Sequence, residues 1–77
     1  MTGADAAKVA ELKTNLANYK ASLVGDEELR AKIIAEGANV GQNASFLAQV
    51  DQIIADRKKI IAITEQQIAT LERLGSR

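Results

Sequence analysis

Arg57, Lys58 and Lys59 form the one basic run of this chain, and a cluster of that kind is the minimum a phosphate-binding helix would need. Successive residues on a helix point about 100° apart, however, so three in a row do not make one flat cationic surface. Asp56 stands directly beside them and dilutes the charge further. Tyr19, the single phenol, followed by Lys20, is the other pair with chemistry to offer: a ring to stack on a small ligand or nucleotide base, and a cation beside it. The commoner use of such a tyrosine is to pack its ring in a core and keep the hydroxyl at the edge.

The carboxylates are poorly placed for catalysis. Asp26, Glu27 and Glu28 run consecutively, whereas a divalent-ion loop needs oxygen ligands alternating around a turn. Glu65 and Glu72 share a helical line but stand about 10 Å apart along it, too far for paired acid–base work. Asp51 and Asp56 do not share a helical face. The chain has no histidine and no cysteine, which removes the usual bases, thiol nucleophiles, disulfides and zinc ligands. Neither a catalytic site nor a cofactor nor a metal site is expected, and the reading is of a protein that is not an enzyme.

The elements that carry these residues are helices. Ile33, Val40, Leu47, Ile54, Ile61 and Ile68 recur every seven residues, the spacing that keeps apolar side chains on one seam of a helix. Val9, Leu12, Leu16, Tyr19 and Leu23 repeat in steps of three and four nearer the N-terminus. Proline is absent, so nothing in the chain breaks a helix outright.

Thr2 with Asp5 resembles a capping box and predicts a first helix over about residues 4–24. Gly25 then reads as a stop and Asp26 as the cap of a second helix over about 27–36. A polar Gly/Asn segment, 37–43, is expected to break the chain before a long helix over about 44–74, with Asn43 as its cap. A continuous helix through Gly37 and Gly41 is the alternative, since Val40 keeps phase with its neighbours. The fold class is all-α: a single domain, either a helical hairpin or a three-helix bundle with one long C-terminal helix and coiled-coil-like packing.

Seventy-seven residues support only a modest core, so self-association is expected to complete the fold. Besides the heptad row, the long helix carries Phe46, Val50, Ile53, Ile60 and Ile63, an apolar stripe too wide for one neighbour. The assignment made on this basis puts Ile54, Ile61 and Ile68 on the self-association seam, with Leu12, Leu16, Phe46, Leu47 and Val50 packing helix to helix within the chain. Ten basic residues balance ten acidic ones, which gives no general attraction to nucleic acid or to an anionic membrane. No apolar run is long enough to span a bilayer, and a cytoplasmic location is expected.

Taken together, these features describe a small interaction module, an adaptor, regulator or assembly factor, that forms a homo-oligomer and binds another protein. Two other functions fit individual features. One is an oligomer that binds a small ligand or nucleotide between subunits through Tyr19 and Lys20, and the other a helical nucleic-acid binder using Arg57, Lys58 and Lys59.

Overall fold

A computed structural model of the chain describes residues 2–37 and 41–75. It is a helical hairpin: α1 runs Gly3–Ala35 and α2 runs Asn43–Gly75, each 33 residues or about 50 Å long, packed antiparallel along their length. The hairpin is a rod of 56 × 14 × 13 Å.

α1 starts where the capping signal places it. Thr2 is the N-cap, and its Oγ1 accepts a hydrogen bond from the Asp5 N–H at 3.2 Å. The break expected at Gly25–Asp26 does not occur, and the helices expected over 4–24 and 27–36 are one. A glycine inside a helix costs only about 1 kcal/mol against alanine. Continuity, in return, brings both Leu23 and Ile33 onto the side that packs against α2.

The chain turns between Ala35 and Asn43 instead. Gly37 has φ +103° and Gly41 φ +56°, backbone conformations that a residue with a Cβ rarely adopts, so the continuous-helix alternative fails here. The Gly37 N–H donates to the Ile34 carbonyl at 3.1 Å, the inner bond of a Schellman-type helix end. Asn43 works differently from the cap expected of it. Its Nδ2 donates to the carbonyls of Gly37 (3.1 Å) and Glu36 (3.4 Å), tying the start of α2 to the end of α1. Val40, and with it the middle of the row from Ile33 to Leu47, lies outside the described residues.

Two apolar clusters hold the helices together. At the open end, Val9, Leu12 and Ile68 are buried, with Leu16 and Leu71 packed on them. At the turn end, Ile33, Val50 and Ile54 are buried, with Leu23 and Leu47 alongside. Ile61 and Thr64 are buried between these clusters, and the Thr64 hydroxyl donates to the Ile60 carbonyl at 2.8 Å. Two helices cannot wrap a core completely: among the described residues no large side chain falls below 2% exposure.

Candidate interaction face

The packed surface is made of rows with a seven-residue period. On α1 the inward rows are Val9, Leu16, Leu23 and Leu12, Tyr19, Asp26, Ile33. On α2 they are Leu47, Ile54, Ile61, Ile68 and Val50, Arg57, Thr64, Leu71. Seven-residue rows of this kind are the seam of a coiled coil.

This arrangement moves several of the expected sites. Ile54, Ile61 and Ile68 are buried inside the hairpin, 7–8% exposed, so they are not an outer self-association seam. Leu12 and Leu16 pack at the open end of the hairpin, and Leu47 and Val50 at the turn end. Phe46 does not: it stands one position before the inward row and is 47% exposed.

The basic run is divided among three environments. Arg57 points into the seam, where its Nε donates to Asp26 Oδ2 at 2.7 Å. Lys58 lines an open groove with Glu27, Arg30 and Asp51, and Lys59 is exposed. The three side chains therefore make no single phosphate-binding patch. Tyr19 is half-buried on the inward row, and Lys20 Nζ lies 3.8 Å from Glu65 Oε2, so the two do not converge on a common pocket. Among the described residues, no group of three or more potential ligands is gathered to hold a metal ion. No helix of the described residues is long and apolar enough to cross a membrane.

The two flanks of the seam differ in character. One is ionic: Lys13 pairs with Glu72 and Lys20 with Glu65, each at 3.8 Å, and Arg30 Nε meets Asp51 Oδ1 at 2.6 Å. These pairs are half-exposed and each contributes at most about 1 kcal/mol, but they all require the same antiparallel register. The opposite flank is apolar. Phe46, Ile53, Ile60 and Leu74 lie on one seven-residue row of α2, with Gln67 at the remaining position and Ile63 beside it. Phe46, Ile53, Ile60 and Ile63 are each 45–49% exposed, and α1 adds Leu29 on the same side. A groove lined by Leu12, Ile63 and Leu71 together with Lys8, Gln66, Gln67 and Thr70 continues this flank toward the open end.

Isolated exposed leucines are ordinary on a protein surface, whereas a continuous row of large aliphatic side chains marks a contact surface. The width of the stripe in α2 was legible as a sequence pattern, but which of its two isoleucine rows faces inward was not. The Asp26–Arg57 pair also escaped sequence reasoning. Its signal is one acidic and one basic residue, each alone on an otherwise weakly polar inward row. No protein family, characterised protein or solved structure matches this chain.

Proposed function

We propose that the protein is a small, non-enzymatic interaction module that works as a self-associating helical hairpin, serving as an adaptor, regulator or assembly factor. The observation that carries this reading is the exposed row Phe46, Ile53 and Ile60 with Ile63, on the flank opposite the one occupied by cross-helix ion pairs. Burying such side chains against another helix stabilises an assembly by about 25 cal/mol per Å² of apolar surface removed from water. The shallow core points the same way, since two helices alone leave every buried side chain partly wet. The ionic flank and helix ends then remain for a different protein partner.

Light scattering coupled to size-exclusion chromatography, across a dilution series, tests the self-association. The reading expects a species of at least twice the 8.2 kDa chain mass that dissociates on dilution. A mass of one chain at every concentration, up to the limit of solubility, contradicts it and leaves the apolar row to a different protein.

A further inference from the structure

We infer that Gly37 and Gly41 latch the chain as a hairpin against a second arrangement, in which α1 and α2 open into line and two copies exchange helices. In that arrangement α1 of each copy packs on α2 of the other. The inference goes beyond the self-association reading and concerns a different surface, the seam rather than the apolar flank.

Its first support is the phase of the inward rows. Leu12, Tyr19, Asp26 and Ile33 of α1 and Leu47, Ile54, Ile61 and Ile68 of α2 belong to one seven-residue series. Val40 is the intervening member and the one large apolar residue between Glu36 and Gln42. A hairpin does not require this agreement, because each helix turns its own face inward whatever the phase across the connection. Two helices in line do require it, since a seam that serves both must stay on one side of the rod. The second inward rows flank the shared series, Val9, Leu16 and Leu23 before the turn and Val50, Thr64 and Leu71 after it, so the seam shifts by a single row. Gly25 shows that α1 already holds a glycine at an interior position.

The second support is that the turn alone decides between the two arrangements. Exchange re-forms the contacts across the seam between copies, including Lys13–Glu72, Lys20–Glu65, Asp26–Arg57 and Arg30–Asp51. These contacts cancel, and the balance rests on the bend itself and on the effective concentration of the tethered helices. Three features at the bend belong to the hairpin: Gly37 at φ +103°, Gly41 at φ +56°, and the Asn43 amide on the Glu36 and Gly37 carbonyls. Alanine at both glycines opposes the hairpin, where a Cβ is strained, and favours the in-line helix, where alanine is the better helix former. Together the two substitutions shift the balance toward exchange by roughly 1,000-fold.

The chain has no cysteine, so two single-cysteine chains report the exchange. Lys20→Cys and Glu65→Cys are made separately, each also carrying Gly37→Ala and Gly41→Ala, and are unfolded together in urea and refolded at high concentration. Both positions are half-exposed and face each other across the seam. A short bis-maleimide should join residue 20 of one chain to residue 65 of the other, about 10-fold or more efficiently than when both glycines are kept. Helical circular dichroism should hold or rise, since the bend is replaced by helix. Contact through the apolar flank lies on the opposite side of the rod from these positions, so dimers made that way do not give this product. Equal cross-linking with and without the glycines, absence of the two-chain product, or a loss of helicity in the double-alanine chains overturns the inference. None of these results bears on association through Phe46, Ile53 and Ile60.

Discussion

Asp26 accepts a hydrogen bond from Arg57 across the hairpin at 2.7 Å, and both residues occupy positions on the inward rows where their neighbours are apolar. Their side chains are 20% and 29% exposed, more enclosed than those of the flanking ion pairs. On α1, Asp26 stands between Leu23 and Ile33 of the turn-end cluster, and on α2 Arg57 follows Ile54 of the same cluster, so the pair sets a charge on each helix within an apolar stretch of the seam. A charged pair there favours one register, because sliding either helix by a turn would set a charge against an aliphatic cluster.

Removing one partner should therefore cost more than removing both. Arg57→Ala or Asp26→Ala is expected to destabilise the hairpin by about 1–3 kcal/mol, because the remaining charge is left partly buried without its hydrogen bond. Replacing both with leucine should restore or exceed the original stability while weakening the choice of register. Urea unfolding of the three variants checks the first expectation. A broadened amide spectrum in the double variant would check the second.

Gly25→Ala should stabilise the chain by about 0.5–1 kcal/mol, since residue 25 is helical and the added methyl meets nothing within the chain. The same substitution would destabilise a chain that reversed direction at Gly25–Asp26. The sign of the shift in thermal unfolding thus separates the hairpin from a three-helix arrangement.

Gly37→Ala should have the opposite sign. At φ +103° a Cβ is strained whatever the available space, and the expected loss is about 1–2 kcal/mol in the urea midpoint analysis. Asn43→Ala should add a loss of about 1 kcal/mol by freeing the Glu36 and Gly37 carbonyls that its amide ties down.

The sequence carries the helical period plainly: the steps of three, four and seven mark both helices, and Leu12, Leu16, Leu47 and Val50 lie in the two apolar clusters between them. It misleads at Gly25–Asp26, where a local stop-and-cap signal is overruled by packing: only an unbroken helix seats Leu23 and Ile33 together against α2. The two isoleucine rows of α2 posed a different difficulty. Ile53 and Ile60 adjoin Ile54 and Ile61 on the helix surface and match them in hydrophobicity. Which row turns inward depends on the register with α1, fixed by contacts such as Lys20–Glu65 that spacing within α2 does not contain. The row through Val40 linked residues on both sides of a turn, so its regular phase did not mean one helix.

The most direct test of the interaction face compares two neighbouring isoleucines. Ile60 is 45% exposed and Ile61 8% exposed, so their aspartate variants should fail in different ways. The measurement is mass by light scattering together with helical circular dichroism on Ile60→Asp and Ile61→Asp at one concentration. The account predicts that Ile60→Asp keeps its helicity and falls to the mass of a single chain, while Ile61→Asp loses helicity. An Ile60→Asp variant that keeps the native oligomeric mass, or an Ile61→Asp variant that folds as stably as the native chain, would contradict it.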